Sequence, residues 1–289
     1  MKKERTQSFW GSVLRRFSKD KKALISFFTL LIIVIACLVV PMLSPYSMET
    51  INMSDEVRDI APNSAHILGT DDIGRDIFTR LFYAGRISLG LALIVVFFEC
   101  LVGIILGSLA GYYGGVVDAV IMRLSEVFMS FPFMVFCITA VAVMGPGFKT
   151  LVIVFTILSW PSIARIVRGQ ILTLREMEYM EACEALGISD FKRIFKHLLP
   201  NVLAYIIVYA TLGMASVILT ETSLSFLGLG ISPPTPTWGN MMQDARNVRV
   251  MQQKWWYWIP PGLCIFISVM CFNLLGDGLR DAIDPKMKR

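Results

Sequence analysis

The sequence predicts an all-α polytopic membrane protein with six transmembrane helices and both termini in the cytoplasm. Of 289 residues, 55% are hydrophobic and 17% charged, with a mean hydropathy of +0.63. Soluble domains carry about 45–50% and about 25%. Charge-poor stretches recur at the length a helix needs to cross the hydrocarbon core, about 17–25 residues. Eight cations (Lys2, Lys3, Arg5, Arg15, Arg16, Lys19, Lys21 and Lys22) crowd the first 22 residues, just ahead of the first such stretch. A basic block leading straight into an apolar run reads as a cytoplasmic membrane flank rather than a nucleic-acid arm. The lipid bilayer, and no nucleic acid, is therefore an expected partner. Low charge and 19 Phe exclude a disordered chain.

Residues 1–22 form the basic cytoplasmic leader, and 23–43 the first span. Val34-Ile35-Ala36-Cys37 loosely resembles a lipoprotein cleavage box, but the apolar run continues past Cys37. It also exceeds the roughly 7–15 residues of a signal core, so a retained span is expected. Residues 44–86 are extracytoplasmic and end in an interfacial helix at 70–86. There Thr70 is the expected N-cap, Asp71 and Asp72 suit the positive helix end, and Ile77, Phe78, Leu81 and Phe82 share a face. The second span, Ile87–Val117, has Glu99 as its only charge. Gly103, Gly107, Gly111 and Gly115 line one of its faces, a spacing that lets a second helix approach closely.

Val127–Phe148, Thr150–Ala164, Leu198–Thr220 and Trp255–Gly276 are the remaining spans. The short Thr150–Ala164 run is completed by Arg165 and Arg168, which snorkel to the interface. Ahead of the last span, Trp255-Trp256-Tyr257-Trp258 suits the headgroup level. A five-helix core thus covers 87–277, followed by a cytoplasmic tail at 278–289. Only Arg58, Arg75, Arg80, Arg86, Lys149, Arg246, Arg249 and Lys254 fall on outer segments, and the rest of the 27 Lys and Arg lie inside. This asymmetry sets the orientation.

Chemistry-bearing motifs are missing. The chain has no G-x-x-x-x-G-K-[ST] loop, no G-x-S-x-G elbow, and only His66 and His197 as histidines. Its six cysteines form no C-x-x-C pair and read as small apolar fillers. No catalytic, cofactor-binding or metal-binding residue is expected, and the chain is not read as an enzyme. Glu99, Glu126 and Glu221 would be costly facing lipid, so each should face the bundle or an aqueous path. Helix-to-helix hydrogen bonding is expected over a proton relay.

The informative segment is the cytoplasmic elbow at 169–201. Thr173 is expected to cap a helix running through Met177, Met180, Ala182 and Ala185, which Gly187 stops in the left-handed C′ position. Ser189 then caps a second helix, and Phe191, Ile194, Phe195 and Leu198 follow i, i+3, i+4, i+7 spacing as one apolar stripe. Lys192, Arg193 and Lys196 point away, and Pro200 ends the unit. Physically this is either an interfacial helix lying on lipid or a helix that plugs a groove in a partner.

Glu181-Ala182-Cys183-Glu184-Ala185-Leu186-Gly187, with His197-Leu198-Leu199-Pro200-Asn201 beyond, resembles the EAA loop of ABC-importer membrane subunits. Cys183 stands for the usual second alanine. Other stretches are similar to the C-type permease of dipeptide/oligopeptide importers. These are Leu68-Gly69-Thr70-Asp71-Asp72-Ile73-Gly74-Arg75-Asp76, Leu224-Ser225-Phe226-Leu227-Gly228-Leu229-Gly230, Pro233-Pro234-x-Pro236-x-Trp238-Gly239 and Asn273-Leu274-Leu275-Gly276-Asp277-Gly278-Leu279-Arg280-Asp281.

The resemblance implies the type I ABC-importer permease fold and ATP-driven uptake of dipeptides or oligopeptides across a bacterial cytoplasmic membrane. It implies a homologous permease partner, two cytoplasmic ATPase subunits that bind ATP and Mg, and an extracytoplasmic substrate-binding protein. By the same resemblance the elbow is the coupling helix, with Glu181, Ala182, Gly187, Phe191, Ile194, Phe195, Leu198 and Pro200 as its residues. A nickel importer shares much of the pattern. A gradient-driven secondary transporter using Glu99 or Glu221 is a rival reading, and a membrane enzyme a weaker one.

Overall fold

A computed structural model describes residues 9–48, 51–54 and 56–283. Lys2, Lys3 and Arg5 of the leader and Lys286, Lys288 and Arg289 of the tail lie outside them. Among the described residues the secondary structure is helical, and one isolated bridge pairs Thr70 with Asp76.

Two helices open the chain: α1 (Phe9–Phe17) and α2 (Lys21–Leu43). Asp20 caps α2, its carboxylate accepting the backbone N–H of Lys22 and Ala23 at 2.9 and 3.3 Å. Part of the basic leader is built into the molecule. Val13 of α1 is buried with Ala204, Ala282 and Ile283, which no run of charges announces.

The expected interfacial helix at 70–86 is not a separate element. A 37-residue helix, α3 (Ile77–Tyr113), begins at Ile77 and takes in the second span only as far as Tyr113, short of the expected Val117. Its N-cap is Asp76, whose Oδ2 accepts from Thr79 N and Oγ1, each at 2.7 Å. Thr70 instead donates its hydroxyl to Val57 O, and Asp71 accepts from the backbone N–H of Ile73 and Arg75. Gly74 at φ +76° closes that turn, so the helix starts only beyond it.

The third span differs too. In place of one helix at Val127–Phe148 there are α4 (Gly115–Ser130) and α5 (Phe133–Met144), bent by 85°. The break falls at Phe131, which adopts φ −85°, ψ 137° because Pro132 disfavours a helical residue before it. α6 (Phe148–Arg175) is longer than Thr150–Ala164. Its arginines do not reach for the interface unpaired. Arg168 grips the carboxylate of Asp118 on α4, and Arg165 Nε donates to Ser125 Oγ at 3.1 Å.

The remaining elements are α7 (Glu178–Ala185), α8 (Asp190–Lys192) and α9 (Leu199–Phe226), then α10 (Trp238–Met241), α11 (Val248–Gln253) and α12 (Trp255–Ile283). Among the described residues, five helical segments are long and apolar enough to cross a membrane, or six if the bent α4–α5 pair is one span.

The centre of the molecule is α3 lying along α6. Gly103, Gly107 and Gly111 form the contact, and a Cβ on them would come within 2.6 Å of Ile163 Cβ, 2.5 Å of Ala164 O and 2.9 Å of Arg168 O respectively. Gly115 stands outside this row. It opens α4 at φ +50°, and a Cβ there would meet nothing within 4 Å. Helix α9 closes the core, and Trp238, the first residue of α10, fills it, donating Nε1 to Leu81 O and its backbone N–H to Ser88 Oγ at 3.0 and 3.1 Å. Glu221 lies buried nearby, its Oε1 accepting from Ser225 Oγ at 2.6 Å, while its Oε2 has no hydrogen-bond partner among the described residues. Glu126 pairs with Arg123 on the open side of α4 at 2.9 Å.

One clasp joins the 44–76 segment to α12. Asp59, at φ +62°, accepts from Tyr257 Oη at 2.6 Å and pairs with Lys254. Partial burial pushes its carboxyl up, but hydrogen bonds from Lys254 and Tyr257 and the charges of Lys254 and Arg249 hold it below the usual range. A depressed native pKa means the clasp contributes above about pH 4 and is lost as pH falls through the lower native value. Asp59→Asn is therefore expected to cost about 1 kcal/mol or less at neutral pH, since solvent screens a partly exposed pair. It should also flatten the acid limb of a thermal-unfolding series in detergent. An unchanged acid limb would show that Asp59 carries none of it.

Candidate coupling elbow

The elbow is assembled from three pieces of backbone. α6 runs on to Arg175, so Thr173 does not cap a new helix. Its hydroxyl donates back to Gly169 O, and α7 begins after Met177. α7 ends in a Schellman turn: Ile188 N–H reaches Cys183 O at 3.0 Å and Gly187 N–H reaches Glu184 O at 2.9 Å. Gly187 sits at φ +67°, with nothing within 4 Å of where a Cβ would be. The left-handed conformation, not crowding, makes glycine suitable there.

Beyond Ser189, the second helix does not end at Pro200. α8 passes through a π-helical stretch, Arg193–Leu198, into α9, and Pro200 lies in the first turn of α9. A proline inside a helix lacks an N–H and crowds the carbonyl four residues back. The π stretch absorbs this, with Leu199 N–H bonding five residues back to Ile194 O. Asp190–Phe226 is consequently one continuous 37-residue helical segment.

This geometry splits the expected apolar stripe. Ile194 and Leu198 are buried with Met180, Val202 and Ile206. Phe191 and Phe195 face outward and stack on each other, ring centroids 4.5 Å apart. Phe191 is 70% exposed and Leu186, at the elbow's corner, 79%. Glu181, Ala182, Gly187 and Pro200 are exposed, whereas Cys183 is buried. Lys192 and Lys196 are exposed as expected, but Arg193 turns inward. Its Nε donates to Ile188 O at 2.6 Å, and its other nitrogens lie 3.4 and 3.5 Å from Glu184 and Asp190.

Of two contacts that sequence reasoning missed, one fastens the elbow to α3 and the other ties the end of α6 to the same turn of α3. Tyr112 Oη donates to Asp190 Oδ1 at 2.8 Å, and Arg175 Nη1 donates to Tyr112 O at 2.9 Å. Tyr112 and Asp190 are 78 residues apart, and no local spacing signals such a pair. The only hint is positional: both flank segments that stand out in the sequence, the glycine row and the elbow.

A bundle of membrane-length helices with an exposed aromatic pair at the start of one of them is the architecture of a polytopic membrane protein. Residues 103–289 match the family model described as binding-protein-dependent transport system inner membrane component, and the chain belongs to that family. Residues 8–62 match the model of the N-terminal TM domain of oligopeptide transport permease C.

Among its relatives, the dipeptide transport system permease protein DppC of Bacillus subtilis (strain 168) is 39% identical over 284 residues, covering 98% of this chain and 87% of the relative. The glutathione transport system permease protein GsiD of Pectobacterium atrosepticum is 40% identical over 279 residues, covering 96% and 92%. The oligopeptide transport system permease protein OppC of Bacillus subtilis (strain 168) is 36% identical, covering 99% and 92%. A solved inward-facing structure of the MetNI methionine ABC transporter aligns with a TM-score of 0.56 at 18% identity. The alignment covers 71% of this chain and 96% of that one, a likeness of fold.

Proposed function

We propose that this chain is the permease subunit of an ATP-binding-cassette importer that moves dipeptides or oligopeptides across a bacterial cytoplasmic membrane. The observation that carries the reading is the elbow, where Leu186 and the stacked Phe191–Phe195 pair stand exposed at and just beyond the EAA-like sequence. In this reading they fill a groove on a cytoplasmic ATPase, as an amphipathic helix fills an apolar groove. The chain spans the membrane six times, counting the bent α4–α5 pair once, with both termini in the cytoplasm. ATP and Mg are bound by two partner ATPases, and this subunit hydrolyses nothing. A homologous permease completes the path, and an extracytoplasmic binding protein delivers cargo.

Coupling runs through the residues that fasten the elbow. When the ATPases close they shift α7–α8, and Tyr112–Asp190 and Arg175 pass the shift to α3 and α6. The bundle then moves between inward-open and outward-open states because the ATPases contact the elbow differently in each. The glycine row keeps α3 and α6 one rigid unit during that movement.

Mass spectrometry of what co-purifies with a tagged copy from mild-detergent native membranes tests the assembly. Two ATPases, a homologous permease and a binding protein are expected, and titrating that binding protein with peptides and with nickel then separates the cargo classes. A chain that comes out alone and still transports would overturn the reading. Uptake that collapses with a protonophore at constant ATP would replace it with a gradient-driven one.

A further inference from the structure

Between α3, α5, α6 and α9 lies a half-open cleft of about 340 Å³, a volume at the lower end of the roughly 300–1,000 Å³ of small-ligand sites. Phe133, Phe155 and Val217 make its walls apolar, and Ser159, Tyr209, Ser216 and Thr220 add hydroxyls. Glu99 lines it with only 2% of its surface exposed. Ser159 lines the cleft with it, and among the described residues Glu99 has no ion-pair partner. Asp118 has Arg168 and Glu126 has Arg123. Glu221 keeps the Ser225 hydroxyl on one oxygen, and its other oxygen has no hydrogen-bond partner among the described residues, but Glu221 lines no part of this cleft.

A buried carboxylate within a membrane span is costly unless a cation or donors meet it. The space in front of Glu99 is also kept clear. Gly213 on α9 faces it, and a Cβ there would press to 3.1 Å from Glu99 Oε1. The Ser216 and Thr220 hydroxyls point their hydrogens at carbonyls of their own helix, at 3.5 and 2.8 Å. Their oxygens are therefore left to accept. One carboxylate plus acceptor oxygens beside apolar walls suits an ammonium group, which brings three donors and no acceptor. It suits a divalent metal less well, for among the described residues no group of three His, Cys, Asp or Glu stands together.

We propose that this cleft is the chain's share of the translocation path and that Glu99 anchors the terminal ammonium group of a peptide in transit. The proposal rests on the peptide-importer reading. Cargo passes with its charged amine against Glu99 and the α9 hydroxyls while its side chains slide along Phe133, Phe155 and Val217. The anchor is reversible because a single carboxylate holds the amine, and the ATP-driven movement of α3 against α9 releases it.

The test uses the complete importer, with both permeases, the ATPases and the binding protein, in proteoliposomes given a radiolabelled alanyl dipeptide at saturating binding protein. Glu99→Gln keeps the shape and removes the charge. It is expected to lower uptake per ATP hydrolysed by about tenfold or more, as loss of a buried charge partner does, and Glu99→Asp should recover most of it. A dipeptide carrying a diazirine side chain, irradiated during turnover, should label α6 and α9 around Ser159 and Ser216 in the wild type and much less in Glu99→Gln.

A wild-type ratio of uptake to ATP in Glu99→Gln would overturn the anchor. So would labels elsewhere while uptake proceeds. Failure of Glu99→Gln to assemble with the ATPases would reassign Glu99 to helix packing. If the wild-type complex assembles and hydrolyses ATP but takes up no peptide, the importer reading fails first and the anchor falls with it.

Discussion

Gly107→Val is expected to pry α3 from α6 and abolish recovery of a stable protein. A Cβ at this position would stand 2.5 Å from Ala164 O and 2.9 Å from Val167 Cβ. One is main chain and the other a branch point, so neither swings aside as a flexible side-chain end would. Overpacking a tight contact typically costs about 1–3 kcal/mol and sometimes more. Here the loss compounds, because helices in lipid associate through close packing rather than through exclusion of water.

Gly90→Ala on the same helix is the control. A Cβ there meets nothing within 4 Å, and alanine exceeds glycine in helix propensity by about 1 kcal/mol. It should be neutral or slightly stabilising. Thermal unfolding in detergent and recovery from the membrane read both variants. Equal stability of Gly107→Val and wild type would refute the close α3–α6 contact.

Gly187→Val should act the other way round, with function lost and fold kept. The position is open, so no clash follows, but an L-residue at φ +67° pays about 1–2 kcal/mol, and a β-branched one is a genuine outlier. The chain then escapes by leaving the left-handed region, which breaks the Schellman turn and redirects Phe191 and Phe195 relative to α7. Membrane insertion and melting temperature should stay near wild type while ATP-driven uptake falls by about tenfold or more, tracking the docking energy of an aromatic anchor. Gly187→Asn tolerates the conformation and should retain most uptake. Full uptake by Gly187→Val would remove the elbow's turn from coupling.

The two variants separate what is legible in the chain from what is not. Apolar run lengths, the left-handed stop at Gly187 and three of the four glycine rungs are properties of a few neighbouring residues. Hydropathy and backbone sterics act at that range, so these features are readable without a fold. The elbow's family pattern is equally local, a short string of residues ending in Leu-Gly.

Local patterns mislead where a distant segment has the deciding vote. Thr70 has the chemistry of a cap, yet its hydroxyl is engaged by Val57 and α3 starts beyond Gly74. Arg168 has the reach to snorkel to the interface, yet Asp118, 50 residues away, takes it. Phe191, Ile194, Phe195 and Leu198 share a helical period, but the π stretch before Pro200 turns two of them into the core and leaves two outside. Glu99 and Glu221 look alike as lone acids in apolar helices. Packing seals Glu221 in the core with the Ser225 hydroxyl on one oxygen, and leaves Glu99 beside a cleft. Periodicity says which residues can share a face, but the energy of a buried charge or an exposed ring depends on what the rest of the chain brings against it.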